Sequence, residues 1–386
     1  SFRQHGSSLR IEARDGAALG EYLSADDHWQ FWLPVDQLDQ HLQQATLAAE
    51  DRRFYQHFGI DPLATLRAIR DNLLARRRVS GASTLTMQLC RITDERPRTW
   101  PSKAIQAFRA LQAEQELSKD EILEWYLNLA PYGGNRRGAE AGARAWFGKS
   151  ATQLTLAEAA LLAGLPQSPT RLRPDRHGDR ALRRRNWVLT RMRDSGFISA
   201  EECRLAQEDP LPTGEQRRQW SAPHFGDLLR QRYPGATALR STLDARLQER
   251  CESALNAHLQ QLTDAAISQG AMVVMDSRDA SLLALVGSRD YHQNQARGQV
   301  NGALAPRSSG SALKPFFYAA AIDAGQLTPA TMLADTPLQL GGWRPHDYDH
   351  RWRGPVSARQ ALADSLNLPA VRVLRQLGLR QGFVTL

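Results

Sequence analysis

The chain has 386 residues, 42% apolar and 23% charged, a length that suits two or three domains and a balance that excludes a disordered chain. Lys and Arg outnumber Asp and Glu by 49 to 41, and the resulting +8 would serve nucleic acid, anionic lipid or an acidic substrate equally well. No apolar run reaches the roughly 18 residues of a membrane span, and the chain opens Ser1-Phe2-Arg3 without a signal peptide, so it reads as cytosolic or as a chain whose anchor has been removed.

In chain order, residues 1–37 form an N-terminal strand segment. Leu9 to Ala13 alternates, Arg14-Asp15-Gly16 turns, and Trp29 to Leu33 is apolar and aromatic. Residues 38–207 carry helical periodicity, and three helix starts show a capping box: Ser118 with Glu121, Thr155 with Glu158 and Ser199 with Glu202. A Pro- and Arg-containing stretch reads as a linker over 208–240. In 241–386 a helical run to about Leu262 is followed by a hairpin, Met272 to Met275 and Ser281 to Val286. Cys90, Cys203 and Cys251 are scattered and near no His cluster; they read as small buried residues, not as a disulfide framework or a zinc site.

The helical block places polar residues where a simple core would not want them. Glu50-Asp51-Arg52-Arg53-Phe54-Tyr55-Gln56-His57-Phe58-Gly59 mixes acid, base and aromatic groups at a helix end. Gly81 to Arg91 sets Ser83 and Thr84 before a helical run, where a hydroxyl caps the helix or binds an anion. A third segment runs from Lys103 through Gln106, Arg109 and Glu116 to Tyr126-Leu127-Asn128. A fourth ends in Trp146-Phe147-Gly148-Lys149, and a fifth spans Glu158 to Pro174. Each has a bland reading: adjacent acids usually form a solvated face, and a hydroxyl is often only a cap. Gly148-Lys149-Ser150 is not a phosphate loop, because Ala143 stands where that motif needs Gly.

Taken together and in this order, over residues 40–175, these segments resemble the signature segments of peptidoglycan glycosyltransferases, the lysozyme-like all-α polymerase domains of class A (bifunctional) penicillin-binding proteins. The resemblance implies polymerisation of lipid II into β-1,4-linked glycan with inversion and release of undecaprenyl pyrophosphate. It implies that Glu50 is the base that takes the acceptor proton. The substrate-binding set it implies is Asp51, Phe54, Ser83, Thr84, Gln88, Arg91, Lys103, Gln106 and Lys149, with Lys103 and Arg91 facing the leaving pyrophosphate. His57 is read as structural. Where the family usually shows R-K-x-x-E, this chain reads Ser102-Lys103-Ala104-Ile105-Gln106, a departure in which it is similar to the 1C type. An amide holds no charge for a cation, so no metal ligand is assigned; magnesium is the one cofactor the resemblance allows, with weak dependence expected.

Residues 60–79 place Ile60, Leu63, Leu66, Ile69, Leu73 and Leu74 at helical spacing with Arg67, Arg70, Arg76, Arg77 and Arg78 alongside. That is either a core-packed helix with a solvated face or a basic amphipathic helix on a bilayer surface. A lipid-linked substrate gives the +8 a use without nucleic acid. The resemblance implies the periplasmic face of the bacterial inner membrane, with the family's anchor absent from this chain.

Ser311-Ala312-Leu313-Lys314-Pro315 is an S-x-x-K, and Ser365-Leu366-Asn367 an S-x-N, two elements of penicillin-binding transpeptidases. On a helix, i and i+3 share a face, so Lys314 is expected to reach the Ser311 hydroxyl as its base. Over 241–386 the surroundings also resemble that α/β domain, which implies Ser311 as acyl nucleophile, Lys314, Ser365 and Asn367 as its catalytic partners, and β-lactams as ligands. No K-T-G follows Asn367. The domain is therefore expected to be incomplete, unable to cross-link, and poorly packed beyond about Gly302, with Val371, Val373 and Leu374 uncovered. A non-catalytic lipid II or penicillin-binding scaffold and a glycan-cleaving enzyme are the alternatives; the product formed from lipid II separates them.

Overall fold

The computed structural model describes residues 6–75, 83–94, 99–215, 220–262, 267–378 and 380. The chain divides into two compact units, Ser1–Leu304 and Ala305–Leu386.

The first unit opens with a hairpin, β1 (Leu9–Glu12) and β2 (Ala18–Tyr22), followed by a two-residue strand, β3 (Trp29–Gln30). Leu9 and Ile11 point inward and Arg10 and Glu12 lie part-buried between them, as a period of two requires. The strand expected over Trp29 to Leu33 stops after Gln30, because Leu33 gives its amide and its carbonyl to the side chain of Asn128.

The helices follow: α1 (Gln40–Glu50), α2 (Pro62–Ala75), α3 (Leu85–Thr93), α4 (Trp100–Glu116) and α5 (Lys119–Leu129). After the short strand β4 (Arg136–Arg137) come α6 (Ala139–Phe147), α7 (Leu156–Gly164), α8 (Gly178–Asp194) and α9 (Ala200–Glu208). All three capping boxes form, at the starts of α5, α7 and α9. In each, two helix-end donors find partners locally, so the start is set by a few residues alone. Leu42, Leu85, Ile122, Tyr126, Trp146, Leu162 and Leu189 meet in one core that fastens α1 to α7 and α8.

The stretch read as a linker holds two elements, α10 (Pro223–Arg232) and β5 (Ala238–Arg240). They are followed by α11 (Ala245–Gln261) and the expected hairpin, β6 (Met272–Met275) and β7 (Leu282–Val286), which pair antiparallel. β5 pairs parallel with β1, placing Ile11 opposite Leu239, so the sheet order is β2-β1-β5. Leu9, Ile11, Leu19, Phe225, Leu243 and Leu285 share one small core. The first unit therefore runs on past residue 240, because its N-terminal strands bury their apolar face against residues of the 222–285 stretch.

The second unit contains α12 (Lys314–Asp323), the antiparallel pair β8 (Met332–Asp335) and β9 (Gly354–Ser357), α13 (Ala358–Ala363) and α14 (Asn367–Leu377). The expectation of poor packing beyond Gly302 fails around α14, although Phe316, Met332, Trp343 and Trp352 are more than half exposed. Tyr318, Ala321, Leu333, Val356, Leu366 and Val373 close on one another, and Val373 is 2% exposed. α12 and α14 pack together and α14 lies against β8, so these side chains cover each other. Val371 and Leu374 are part-buried.

Candidate functional site

Glu50 ends α1, and the chain turns at Asp51 into a single 3-10 turn, Phe54–Gln56. Asp51 is buried. It accepts the Leu85 backbone amide at 3.0 Å and bonds His57 Nε2 at 3.0 Å, which locks the start of α3 to the end of α1. Thr84 caps α3: its hydroxyl accepts from the Met87 amide and donates to the Gly59 carbonyl at 2.6 Å. That contact needs glycine at 59, where φ is +76° and a Cβ would stand 2.7 Å from the Ala110 carbonyl oxygen.

This frame aims Glu50 into a cavity of about 680 Å³. Gln88 Nε2 donates to one carboxylate oxygen at 2.9 Å and Arg184 Nη2 to the other at 3.0 Å. Glu50 and Arg184 are nearly buried, with side chains 10% and 12% exposed. Burial pushes the Arg184 guanidinium below its ordinary value, and Glu50 pulls it back up. Behind the carboxylate, burial and then Glu50 push the phenols of Tyr126 and Tyr132 upward.

Among the described residues six arginines line the cavity, Arg52, Arg53, Arg67, Arg91, Arg184 and Arg191, against three acids, Glu50, Asp51 and Asp61. Arg53 bonds Asp61, and Arg52 donates to the Asp194 carbonyl at 2.7 Å. Burial would raise the Asp61 carboxyl, but the bonds from Arg53 and the Ala64 amide hold it below the usual range. Arg191 is lowered by burial and then by Arg52 and Arg67, the mark of cations crowded on one wall. Such a wall suits a polyanion.

Of the residues the sequence proposed, Glu50, Asp51, Ser83, Thr84, Gln88 and Arg91 meet in this cavity. Phe54 does not: it is 1% exposed in the core, with Lys119 Nζ 4.5 Å from its ring centroid. Lys103 and Gln106 are part-buried on α4 outside the lining. α4 packs on α3 along Met87 and Cys90, a stripe next to the one that carries Gln88 and Arg91. Lys149 pairs with Glu158 at 2.6 Å, beside the capping box of α7. In the third segment Glu116 is exposed, and the buried acid is Glu114, which accepts from Thr86 at 2.6 Å and pairs with Lys119.

The sequence reading missed Arg184, Trp187 and Arg191. They lie at i, i+3 and i+7 on α8, and the Arg184 guanidinium stacks 4.2 Å from the Trp187 ring centroid. Their spacing was visible, but an arginine-rich helix usually reads as a solvated face. Gln167, from the fifth segment, also lines the cavity.

In the second unit Lys314, 8% exposed, donates to Asn367 Oδ1 at 2.6 Å, to Ser365 Oγ at 3.2 Å and to the Ser365 carbonyl. Ser365 takes φ +52°, which turns both its oxygens toward the lysine. Burial pushes Lys314 below its ordinary value, and Asp347 opposes that. Ser311 lies in the 3-10 turn Gly310–Leu313 just before α12 and is exposed. Among the described residues Lys314 makes its bonds to Ser365 and Asn367, not to Ser311. Its ammonium is drawn instead to the three oxygens that Ser365 and Asn367 present at the start of α14. A cavity of about 390 Å³, lined by Lys314, Phe317, Trp343, His346, Asn367 and Leu374 among others, opens beside them.

Comparison with known proteins matches both units. A family model described as Transglycosylase covers residues 15–193, and one described as Penicillin binding protein transpeptidase domain covers residues 270–383. Penicillin-binding protein 1C of Escherichia coli (strain K12) is 40% identical over 368 residues, which cover 95% of this chain and 47% of that protein. Penicillin-binding protein 2D of Bacillus subtilis (strain 168) is 33% identical over 394 residues, 96% of this chain and 56% of that one. The chain thus spans about half the length of the curated relatives it matches. The crystal structure of Penicillin-Binding Protein 1A from Haemophilus influenzae shares the fold, with a TM-score of 0.53 at 21% identity, covering 99% of this chain and 63% of that one.

Proposed function

The chain belongs to the class A penicillin-binding proteins, which join a transglycosylase domain to a transpeptidase domain, and from that premise we propose that its first unit polymerises lipid II. The observation that carries this is Glu50, held by Gln88 and Arg184 in the arginine-lined cavity. The acceptor sugar gives its 4-hydroxyl proton to Glu50 as its oxygen bonds the donor anomeric carbon. The bond from that carbon to pyrophosphate breaks on the opposite face, and configuration inverts. Arg91 and Arg191 stand where the departing charge needs cations. Asp51 and Thr84 position and do not touch substrate, since their polar atoms bond the protein's own backbone and His57.

Incubation with lipid II tests the proposal. Glycan polymer is the expected product; unchanged lipid II would mean a binding scaffold, and shortened glycan from preformed strands would mean a lytic enzyme. For the substrate's lipid, Leu63, Leu66 and Leu74 of α2 are more than 60% exposed, which favours the bilayer-surface reading over the core-packed one. Arg76, Arg77 and Arg78 lie outside the described residues, as do Gly81 and Ala82. Among the described residues no helix is long and apolar enough to cross a membrane. We place the protein at the periplasmic face of the inner membrane, where lipid-linked wall precursors are used.

For the second unit we propose acyl transfer at Ser311, with β-lactams as ligands. Its support is the Lys314–Ser365–Asn367 cluster, which brings the S-x-x-K lysine onto the S-x-N element.

A further inference from the structure

The loop between β8 and β9 carries a carboxylate that the acyl-transfer reading does not use. Asp335, the last residue of β8, is fully buried, and Asp347 in the loop is 3% exposed. α14 begins at Asn367 behind Leu366, a residue with no side-chain acceptor to cap the first amides. Asp347 Oδ1 takes that place: it accepts the backbone N–H of Asn367 and that of Leu368 at 3.4 Å. Asn367 in turn donates Nδ2 to the His346 carbonyl at 2.9 Å and receives Lys314 Nζ on Oδ1. One carboxylate thereby fixes the S-x-N element and, through it, the lysine.

The remaining oxygens of the two acids are unusual. Asp335 Oδ1 and Asp347 Oδ2 are both buried, and among the described residues neither receives a donor. Asp335 Oδ2 accepts the Arg353 amide at 2.9 Å, with the Arg353 guanidinium at 3.7 Å. The other charged or titratable groups around the pair are Lys314, the stacked rings of His346 and His350, Asp349, which pairs with Arg353, and Arg372, which donates to Thr336. None of them donates to the two orphan oxygens. Buried acceptors without a donor are rare, and two neighbouring carboxyls in a dry site do not both ionise.

We propose that Asp347 is a positioning residue for the Ser311 site, and that it shares a single proton with Asp335, carried on Asp335 and donated to Asp347 Oδ2. The shared proton satisfies both orphan oxygens and leaves Asp347 anionic, able to cap α14 and to act on Lys314 through space. In agreement with this geometry, burial and then Asp347 push the Asp335 carboxyl upward. The proposal rests on the reading of Ser311 and Lys314 as an acyl-transfer pair.

The test is the pH dependence of Lys314 modification by an amine-reactive reagent, read by peptide mass spectrometry on the full chain. Asp335→Asn keeps a donor toward Asp347, so its labelling profile should match the parent. Asp347→Asn keeps an acceptor for α14 but loses the charge, so Lys314 should become reactive at lower pH. The infrared spectrum of the unmodified chain should also show a protonated carboxyl at neutral pH that disappears in Asp335→Asn, a readout that survives if Asp347→Asn does not fold. Equal shifts in both variants, no shift in Asp347→Asn, or no such carboxyl band would overturn the proposal. Labelled penicillin, added separately, isolates the underlying reading. If Ser311 is never acylated while the Lys314 profiles behave as expected, the acyl-transfer assignment fails and the carboxyl pair stands.

Discussion

The two units treat a buried charge in opposite ways. In the first, the key carboxylate meets a cation: Glu50 is held by Arg184 and Gln88 inside a wall of arginines. In the second, the key cation is buried against neutral oxygens of Ser365 and Asn367, and the nearby acid Asp347 caps α14. The first arrangement brings a carboxylate and cations together in one cavity, as the proposed polymerisation needs. The second holds its lysine and S-x-N element together but leaves Ser311, the proposed nucleophile, exposed and unbonded to Lys314. Proximity of named motif residues is therefore not the same as an assembled site.

The largest expected effect breaks the first half of that contrast. Glu50→Gln should lose polymerisation by on the order of 100- to 10,000-fold while still binding a lipid II analogue. Near-normal polymer yield would remove Glu50 from the chemistry. On the second half, labelled penicillin should acylate Ser311 of this chain slowly and incompletely. Rapid stoichiometric labelling would show that the serine and lysine come together readily.

Smaller effects sharpen the comparison. Arg184→Met leaves Glu50 buried without its cation and should cost about 3 kcal/mol in denaturant unfolding, the usual price of breaking a buried pair. A variant as stable as the parent would mean that water reaches the carboxylate freely. Thr84→Val removes the cap of α3 and the bond to Gly59, for about 1 kcal/mol; a loss of polymer yield far beyond that stability change would give Thr84 a direct contact with substrate. Least in size is a pH effect. Asp335 is raised in the folded chain, so the stability it contributes is full below the ordinary carboxylate range. That stability is lost as pH rises through its raised value. Thermal unfolding of the second unit should show this decline, and Asp335→Asn should flatten it; an unchanged slope would place the proton elsewhere.

Much of this molecule was legible in its sequence. Three capping boxes, the 272–286 hairpin, the helical block and the order of the polar segments are local patterns, written within a few residues and obeyed in the fold. Glu50, Gln88 and Arg91 could be named because the polar segments, in their order, resemble the glycosyltransferase signature. Packing decided the rest. Phe54 turned into the core and Lys149 toward Glu158, since a side chain's direction depends on the neighbour that arrives from elsewhere in the chain. Arg184 reaches Glu50 across 134 positions, and Asp347 caps a helix 20 positions away. No periodicity encodes either contact. Sequence by itself determined which helices and turns form, because backbone hydrogen bonds and apolar spacing act locally. Only the tertiary structure decided which charges meet, because a buried charge takes whatever partner the packed core brings to it.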